Sequence, residues 1–447
     1  MAAIDTVFKA YDIRGLVPDE LDADLAREVG GAFARFAGCP AILVGRDMRP
    51  SGLELSGAFI EGALDQGVDV IDLGLIPTDL LYFAAGKLDM PGATFTGSHN
   101  PAAYNGIKLC LAGAKPVGED TGLDTIKADI TSGAEHPSAP RRGESHSLDL
   151  LRDYAAHVHS FVDVNALRPL KVVADTANGM GGLAVPAVME GLPFDLEILF
   201  EELDGTFPNH PADPINPANQ VDLIARVRET GADVGLAFDG DADRVFLIDE
   251  LGVGLSGSTT TAMLAATMLE RNPGATVIYN LICSRAVPEI IRERGGNPVI
   301  SRVGHSFVKA VMAETNAIFG GEHSAHYYFR DNYRADSGLV AALVILELLS
   351  NASTPLSELR KPFERYVASG EINTRVADTA ASIEKVANAF SYMRQSRLDG
   401  LTCEAESWWF NVRPSNTEPL LRLNLEAGSS EECEARTAQV LAIVREG

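Results

Sequence analysis

The segment TGSHNP, residues 96–101, offers a serine hydroxyl between a small residue and a chain-stiffening proline. A serine hydroxyl is a weak nucleophile unless a base or cation lies beside it. Lys108 follows soon after in YNGIK, and a lysine near a serine suits phosphate chemistry. Glycine, serine, asparagine and proline are also common turn residues. Two interpretations therefore stay open for Ser98, a phosphate-handling nucleophile or an ordinary turn residue.

The segment DGDADR, residues 239–244, carries three carboxylates at i, i+2 and i+4. Carboxylates so close repel one another unless a cation lies between them, and oxygen ligands suit Mg²⁺ or Ca²⁺. An EF-hand is excluded because Arg244 occupies the sixth position, which requires glycine, and because the flanking VGLAF and RVFLID are typical of strands. We therefore predict that Asp239, Asp241 and Asp243 form a metal loop at a strand end, with a solvated acidic turn as the alternative.

The segment RPSNTEP, residues 413–419, combines an arginine with short polar side chains and two prolines. The guanidinium of Arg413 offers a planar fork for a phosphate. Ser415, Asn416 and Thr417 add donors. A phosphate-binding loop and an ordinary turn fit this segment almost equally well.

The segment GEHSAH, residues 321–326, has the side chains for a sugar site. Glu322 and Ser324 could hydrogen-bond adjacent sugar hydroxyls, and His326 could act as an acid or base. A metal pair of His323 and His326 is disfavoured because no further ligand lies nearby in the sequence.

The segment NGMGGLA, residues 178–184, fits a GxGxxA dinucleotide pattern with acidic residues at 201 and 202. Thr176, Ala177 and Asn178 separate its first glycine from the preceding strand, whereas the dinucleotide turn follows its strand directly. We therefore predict a tight turn into a helix.

Short β-branched runs alternate with longer amphipathic stretches, which predicts α/β layers with mostly parallel sheets. Helical spacing is shown by Leu21, Leu25, Val29, Phe33 and Phe36. Strands are predicted within residues 41–47, 68–74, 171–179, 232–240, 275–281 and 316–324. Ligand groups in such sheets gather past the carboxyl ends of the strands, where several of the polar segments fall. The similar strand–loop–helix units suggest duplicated modules.

Two segments are candidate domain boundaries before the final part of the chain. Residues 132–147 are predicted to be a linker or exposed loop, and residues 250–258 are a second candidate boundary. Beyond residues 357–366 the pattern changes to alternating segments such as WWFNVR. A final helix is expected to start at SSEE, with capping-box spacing from Ser429 to Glu432. We therefore predict a separate small α+β domain at the end.

The composition limits compartment and partners. The chain has 447 residues, 46% of them hydrophobic, and a formal net charge of −25. Such a charge repels nucleic acid and anionic membranes, and length alone suggests about three domains. The N-terminus lacks a signal-peptide pattern, and no apolar run is long enough to span a bilayer. Five scattered cysteines without a CxxC pair predict reduced thiols in a cytoplasmic protein.

The order of the motifs is more specific than any one of them. The motifs are FKAYDIRG (8–15), VGRDMRPSG (44–52), TGSHNPAAYNGIK (96–108), DGDADR, GEHSAH and RPSNTEP. In this order they resemble the α-D-phosphohexomutase superfamily over essentially the whole chain, and bacterial members of the phosphomannomutase and phosphomannomutase/phosphoglucomutase type in particular.

This resemblance implies three related mixed α/β domains and a smaller C-terminal α+β domain around a central active-site cleft. The expected boundaries are 1–149 with the phosphoserine loop, 150–250 with the metal loop, 251–363 with the sugar loop and 364–447 with the phosphate loop.

The resemblance also implies roles for individual residues. Ser98 is expected to be phosphorylated and to hold Mg²⁺ together with Asp239, Asp241 and Asp243. Arg14 and Lys108 are expected to flank the transferred phosphoryl group, and His326 to be the general acid/base, with Lys108 or Arg14 as its rivals. Substrate contacts are expected from Tyr11, Arg244, His305, Glu322, Ser324, Arg413, Ser415, Asn416 and Thr417.

The implied reaction interconverts mannose 6-phosphate and mannose 1-phosphate through a phosphoserine enzyme and a hexose 1,6-bisphosphate, for GDP-mannose synthesis. Hexose phosphates are then the partners, without nucleic acid or membrane, and the enzyme is a monomer or homodimer. A phosphoglucomutase or a dual-specificity enzyme is the alternative. A phosphatase or a non-catalytic binding protein is disfavoured, because no histidine set for several metals is present and no expected catalytic residue is lost.

The sequence departs from the superfamily pattern at a few positions. Gly97 stands where alanine is common, and Tyr104 stands where aspartate precedes Asn-Gly. Ile282 replaces a lysine of some dual-specificity relatives, which weakens the expectation of dual activity. The departures at Tyr104 and in GEHSAH disfavour glucosamine phosphate as the substrate.

Overall fold

A computed structural model describes residues 4–134, 136, 139–414 and 420–445. Four β-sheets organise these residues, and each sheet lies in a successive part of the chain. Short 3-10 turns occur at Ala112–Ala114, Glu119–Thr121, Val164–Ala166, Pro217–Gln220, Arg330–Asn332 and Lys361–Phe363.

The first unit is a seven-stranded mixed sheet with helices. Its strands are β1 (Ile13–Leu16), β2 (Ala41–Arg46), β3 (Asp69–Leu75), β4 (Gly92–Phe95), β5 (Tyr104–Leu111), β6 (Lys115–Pro116) and β7 (Ser145–Ser147). Its helices are α1 (Ile4–Val7), α2 (Ala23–Ala37), α3 (Gly52–Asp65), α4 (Thr78–Lys87) and α5 (Leu123–Thr131). The strand order is β1-β5-β4-β2-β3-β7, with β6 beside β5.

Helix α2 confirms the helical pattern predicted near the N-terminus. Asp22 caps its start by accepting a 2.8 Å hydrogen bond from the backbone N–H of Leu25, and Gly38 ends it in the left-handed conformation. The apolar positions Val29 and Phe33 are buried, and the helix packs against α3.

The prediction for residues 132–147 is wrong at its end. Ser145–Ser147 is a strand that pairs in parallel with β3 and forms the edge of the first sheet. All three of its side chains are exposed, so backbone pairing forms this strand without the apolar alternation that sequence reasoning requires.

The second and third units are four-stranded sheets covered by helices. The second contains strands β8 (Lys171–Asp175), β9 (Asp195–Leu199), β10 (Val234–Phe238) and β11 (Val245–Asp249), and helices α6 (Leu151–His159), α7 (Gly181–Met189) and α8 (Val221–Thr230). The third contains strands β12 (Thr276–Asn280), β13 (Asn297–Ser301), β14 (Phe319–Gly321) and β15 (Tyr327–Phe329), and helices α9 (Gly257–Arg271), α10 (Ala286–Glu293), α11 (His305–Thr315), α12 (Gly338–Asn351) and α13 (Leu356–Leu359). The predicted tight turn before α7 is confirmed, with Ala177 and Asn178 at positive φ.

The three units repeat one strand order. Within each, the central four strands lie in the order second, first, third, fourth, as β3-β2-β4-β5, β9-β8-β10-β11 and β13-β12-β14-β15. The first three strands run parallel and the fourth runs antiparallel to the third. The suggestion of duplicated modules therefore agrees with the fold.

The fourth unit is a smaller antiparallel sheet with two helices, as predicted. Its strands are β16 (Val367–Arg375), β17 (Arg394–Ser396), β18 (Leu401–Glu404), β19 (Trp408–Pro414) and β20 (Leu420–Ala427), and its helices are α14 (Thr379–Ala389) and α15 (Ser430–Arg445). Ser429 Oγ accepts a 3.2 Å hydrogen bond from the N–H of Glu432 at the start of α15, as the capping spacing predicted.

The fold class is thus confirmed, whereas the estimate of three domains from length alone is wrong because four sheets share the chain. The boundaries at residues 149, 250 and 363 stay predictions. One apolar core includes residues of the first three units, the first unit has a second core of its own, and the fourth unit has a separate core.

No single helix of the described chain is long and apolar enough to cross a membrane. One pair of helices, Gly338–Asn351 and Leu356–Phe363, passes the length and composition test only when joined across a bend of 98°.

Candidate active site

Three of the polar segments occupy the same position in the three repeated units. The TGSHNP loop joins β4 to β5, the DGDADR loop joins β10 to β11, and the GEHSAH loop joins β14 to β15. Each loop therefore connects the third strand of its unit to the antiparallel fourth. A backbone β-bridge between Arg244 and His326 links the second loop to the third.

Ser98 lies at the tip of the first loop and is 3% exposed. Its φ of 48° is unusual for a residue other than glycine, and its N–H donates to Thr96 Oγ1 at 2.8 Å. Its hydroxyl donates to Asp239 Oδ2 at 2.9 Å. Gly240 permits this approach, because an added Cβ there would lie 2.4 Å from the carbonyl oxygen of Ser98.

The three carboxylates of the second loop are buried, at 0–1% exposure. One carboxylate oxygen from each lies within 4.8 Å of those of the other two. Asp241 Oδ1 and Asp243 Oδ1 are buried and accept no hydrogen bond within the part of the chain that the structure describes. Buried oxygens of this kind cost free energy unless something positive meets them. The donor set therefore fits a hard divalent cation such as Mg²⁺.

Cationic side chains surround the same carboxylates. Lys108 Nζ lies 2.8 Å from both Asp241 Oδ2 and Asp243 Oδ2. Arg244 Nε donates to Asp239 Oδ2 at 2.9 Å, and its Nη2 lies 3.4 Å from Ser98 Oγ. These contacts place two cations against three carboxylates, so the carboxylates are largely but not fully neutralised by the protein.

Arg14, on β1, lies beside the serine loop. Its Nη1 donates to Asn100 Oδ1 at 2.5 Å and its Nη2 to Asp12 Oδ2 at 2.5 Å. Arg14 therefore contacts the loop that carries Ser98, at a residue two positions after the serine.

The electrostatics of the site follow from burial and these close charges. Burial raises the pKa of Asp239 to about 7, although Arg244 opposes this shift. Burial disfavours ionisation of Asp241 as well, but Lys108 outweighs it and the pKa of Asp241 falls well below its usual range. Burial likewise disfavours the charged form of Lys108, yet Asp241 and Asp243 raise its pKa well above the ordinary value.

Glu322 is fixed by three donors. Tyr328 Oη donates to its Oε1 at 2.6 Å, and the side chain of Asn280 and the N–H of Gly304 donate to its Oε2 at 3.0 and 3.1 Å. Ser324 is half-buried on the same loop. The carboxylate is thus held rigidly, as a hydroxyl-binding group requires.

His326 has a carboxylate partner that sequence reasoning missed. Its Nδ1 lies 2.8 Å from Asp336 Oδ2 and 3.8 Å from Asp243 Oδ1. Lys309 Nζ lies 3.1 Å from Asp336 Oδ1. Burial lowers the pKa of His326, but the two carboxylates outweigh it and raise the pKa above its ordinary value. Nδ1 is engaged, so proton exchange with a ligand falls to Nε2.

Tyr11 and His305 pack together across two units. Their ring centroids are 5.3 Å apart, and Tyr11 Oη donates to the carbonyl of Val303 at 3.1 Å. Burial lowers the pKa of His305 well below its ordinary value, which keeps its ring neutral. The described part of the fourth unit reaches this region as well, because Asp399 Oδ2 accepts the N–H of Val303 at 3.3 Å.

Arg413 is also paired with a residue that sequence reasoning missed. Its Nη2 lies 2.6 Å from Glu371 Oε2, and Arg422, opposite it on β20, lies 3.3 Å from Glu371 Oε1. Both arginines flank the predicted phosphate loop. The other residues predicted for this loop, Ser415, Asn416 and Thr417, lie outside the described residues.

Ile282 lines a cavity of about 310 Å³ between the third and fourth units. Its neighbours there include His323 of the sugar loop and Trp409 of the fourth unit. Arg285 donates across this boundary to the carbonyls of Ala405 and Glu406 at 2.7 and 3.1 Å.

The structure therefore brings together Ser98, Asp239, Asp241, Asp243, Lys108, Arg244 and Arg14, and it joins this group to His326 through the Arg244–His326 bridge. Besides Asp336, Lys309 and Glu371, sequence reasoning missed Arg49, although Arg49 lies within one of the recognised motifs. The other missed residues lie outside the motifs. Of them only Lys309 stands in an apolar stretch, FVKAVM, where its charge could have drawn attention.

Four models of known protein-family domains match successive parts of this chain. Successive family models match residues 5–137, 152–252, 256–366 and 371–443, described as the phosphoglucomutase/phosphomannomutase alpha/beta/alpha domains I, II and III and C-terminal domain.

Individual proteins agree over their full length. A phosphomannomutase of Salmonella montevideo is 39% identical over 98% of this chain and 99% of its own. A phosphomannomutase/phosphoglucomutase of Pseudomonas syringae is 38% identical over 96% of this chain and 93% of its own. The crystal structure of a phosphoglucomutase/phosphomannomutase family protein of Burkholderia thailandensis has a TM-score of 0.89, at 33% identity over 99% of this chain and 98% of its own. With its four sheets, its serine loop and its acidic metal loop, this chain belongs to the phosphoglucomutase/phosphomannomutase family.

Proposed function

We propose that the protein is a phosphomannomutase that interconverts mannose 6-phosphate and mannose 1-phosphate, and so feeds GDP-mannose synthesis. The observation that carries the proposal is the contact between a serine hydroxyl and a buried triad of carboxylates, in which Ser98 Oγ lies 2.9 Å from Asp239 Oδ2. Relatives named phosphomannomutase over nearly the whole chain support the choice of sugar.

Ser98 is the proposed phosphoryl carrier. In the first half-reaction the bond between phosphorus and Ser98 Oγ breaks as a bond to O1 of mannose 6-phosphate forms. His326 takes the proton of that sugar hydroxyl and passes it to Ser98 Oγ, which leaves as a hydroxyl, while Arg244 lies close enough to this oxygen, at 3.4 Å, to stabilise the negative charge that develops on it. The product is a hexose 1,6-bisphosphate and a free Ser98.

The bisphosphate then reorients, and the second half-reaction reverses these steps at the other end of the sugar. Ser98 Oγ attacks the 6-phosphoryl group, and His326 returns its proton to O6. The serine is phosphorylated again, and mannose 1-phosphate leaves. Atoms and protons therefore balance over the cycle without water.

Asp239, Asp241 and Asp243 are proposed to hold Mg²⁺ together with Ser98, and the buried oxygens of Asp241 and Asp243 that accept no hydrogen bond among the described residues support this assignment. The cation supplies charge neutralisation to the transferred group, which is the main requirement of phosphoryl transfer. Lys108 and Arg14 contribute further positive charge from the protein.

Tyr11, Arg244, His305, Glu322 and Ser324 are the proposed sugar contacts, with Glu322 and Ser324 on O3 and O4. Arg413, with residues 415–417, is proposed to bind the phosphate that is not being transferred. Because the sugar binds in two orientations, one loop must accept either phosphate. Five free cysteines support a cytoplasmic enzyme, acting on small hexose phosphates as a monomer or homodimer.

Initial rates with Mg²⁺ and a trace of hexose 1,6-bisphosphate test this proposal, using mannose, glucose and glucosamine 1-phosphates in parallel. We expect a preference for mannose 1-phosphate. Comparable rates with glucose 1-phosphate would replace the proposal by a dual-specificity enzyme, the candidate that the Pseudomonas syringae relative favours. Absence of turnover with all three would refute a mutase of these sugars.

A further inference from the structure

Arg49 is a buried charged side chain next to the serine loop, and all of its side-chain hydrogen bonds in the structure are made to protein groups. It follows β2 in the VGRDMRPSG motif, and its side chain is 0% exposed. Asp47 orients it from the same loop, because Asp47 Oδ2 accepts Nε at 3.2 Å and Asp47 Oδ1 accepts the backbone N–H of Arg49 at 2.9 Å.

The remaining donors of Arg49 all go to the backbone of the serine loop. Nη1 donates to the carbonyls of Pro101 and Tyr104, each at 2.8 Å. Nη2 donates to the carbonyls of Ser98 and Asn100 at 2.8 and 2.7 Å. A guanidinium has five N–H donors in one plane, so every donor is used.

This arrangement constrains the whole loop from a single rigid group. The four carbonyls extend from the nucleophile to the first residue of β5. A lysine has three donors on a flexible stem and cannot reproduce the planar set. Ser98 keeps a positive φ of 48° within the held segment, a conformation that persists only where its surroundings impose it.

Arg49 also connects the loop to the second unit, which carries the metal triad. Its guanidinium lies 5.1 Å from the ring centroid of Phe207. A Cβ added to Gly205 would lie 2.5 Å from the Cα of Arg49, so the backbone of the second unit packs directly on this residue.

We propose that Arg49 is a positioning residue for the reaction, because it fixes Ser98 Oγ relative to the carboxylates of the second unit. The inference rests on the proposed function only in taking Ser98 as the phosphoryl carrier. Arg49 acts through the loop and contacts neither the substrate nor the transferred group. A displacement of reacting atoms of about 1 Å costs on the order of 100-fold in rate.

The test compares Arg49→Lys with Arg360→Lys. The control removes another largely buried guanidinium, one that lies 3.3 Å from Asp249 at the far end of β11. Two rates are measured for each protein, kcat for the mutase reaction and the rate of Ser98 phosphorylation by glucose 1,6-bisphosphate, followed by intact mass. Thermal unfolding of both variants reports the structural cost.

We expect Arg49→Lys to lower both rates by about 100-fold with KM changed by less than about threefold, because ligand contacts are kept. Arg360→Lys is expected to lower the melting temperature with rates within about twofold of the parent. If Arg49→Lys keeps the parent rates and loses only stability, Arg49 is merely structural and the proposal is overturned.

Two further outcomes are distinguishable. If the parent protein isomerises none of the sugars but its Ser98 is phosphorylated, the proposed function fails while the phosphorylation rates still test Arg49. If the parent Ser98 is never phosphorylated, both proposals are overturned.

Should Arg49→Lys fail to fold, Asp47→Asn leaves the four carbonyl contacts of Arg49 and weakens its contact with residue 47. We then expect a smaller loss, about tenfold, and parent rates in that variant would overturn the proposal.

Discussion

Replacing Asp336 by asparagine should impair proton transfer by His326 while the protein stays folded. The change keeps the size of the side chain and removes one negative charge. In the parent protein Asp336 Oδ2 lies 2.8 Å from His326 Nδ1, and Asp336 Oδ1 lies 3.1 Å from Lys309 Nζ. An asparagine can present its NH₂ group to Nδ1, which would favour the tautomer whose proton lies on Nε2.

The expected magnitude follows from the role of the pair. A positioned general acid or base contributes about 10²–10⁴-fold to the rate, so we expect kcat to fall by about 100-fold near pH 7.5. Asp243 and Asp336 raise the pKa of His326 against the effect of burial. Loss of one carboxylate should therefore lower that pKa.

The pH dependence of kcat/KM should shift in one direction in Asp336→Asn. The first half-reaction needs neutral His326, so kcat/KM falls as pH drops through the histidine pKa. In Asp336→Asn this acidic limb should move to lower pH. The assay is the pH dependence of kcat/KM for mannose 1-phosphate, with Asp331→Asn as a control because that nearby carboxylate is exposed.

A double-mutant cycle separates this effect from a general loss of structure. If Asp336 acts through His326, then Asp336→Asn should add little to His326→Ala. If the two substitutions lower kcat/KM by independent factors that multiply in the double variant, the reasoning is refuted. An acidic limb at an unchanged pH in Asp336→Asn would refute it as well.

Four other changes have expected outcomes. Ser98→Ala should lower turnover at least about 10³-fold but leave mannose 1-phosphate affinity by calorimetry within about threefold, since only the phosphoryl carrier is lost; near-normal turnover would remove Ser98 from the mechanism. Mg²⁺ should raise the melting temperature of the parent protein and Asp243→Asn should abolish that rise, because stabilisation by a ligand follows its affinity; an equal rise in the variant would place the cation elsewhere. Ile282→Lys should increase the ratio of kcat/KM for glucose 1-phosphate to that for mannose 1-phosphate several-fold, since it restores the lysine of some dual-specificity relatives beside His323; an unchanged ratio would show that this position does not read the sugar. Asp79→Asn should stabilise the protein more at pH 8.5 than at pH 5, because burial raises the Asp79 pKa to about 7 and the buried carboxyl is ionised only above that value. The stability that this carboxyl contributes is present while it is protonated, below its unfolded pKa, and is lost as pH rises through the folded value, by about 4 kcal/mol at most. Equal shifts in melting temperature at both pH values would contradict the raised pKa.

Local patterns in the sequence predicted the fold well because the fold is built from short repeated units. Strand, polar loop and helix follow one another within a few dozen residues, so periodicity locates them. The strand Ser145–Ser147 escaped prediction because its identity depends on pairing with β3, and its own side chains are all exposed.

The candidate site could be predicted where its residues lie together in one loop. Asp239, Asp241 and Asp243 repel one another within a single turn, and this conflict is visible in the sequence. The pairing of His326 with Asp336 depends on a β-bridge between Tyr328 and Asp336. The pairing of Arg413 with Glu371 joins β19 to β16 across the intervening strand β20. Such partners are set by sheet geometry, which no local pattern specifies.

The repeated turn between third and fourth strands has an evolutionary consequence. If the three units descend from one duplicated ancestor, each copy kept the same scaffold and its turn specialised separately. In the proposed mechanism one turn supplies the nucleophile, one holds the cation and one binds the sugar. Such a division of labour means that no single copy can catalyse the reaction. Selection on chemistry therefore acts on how the copies dock, and the interfaces between units should tolerate less change than the outer helices that cover each sheet.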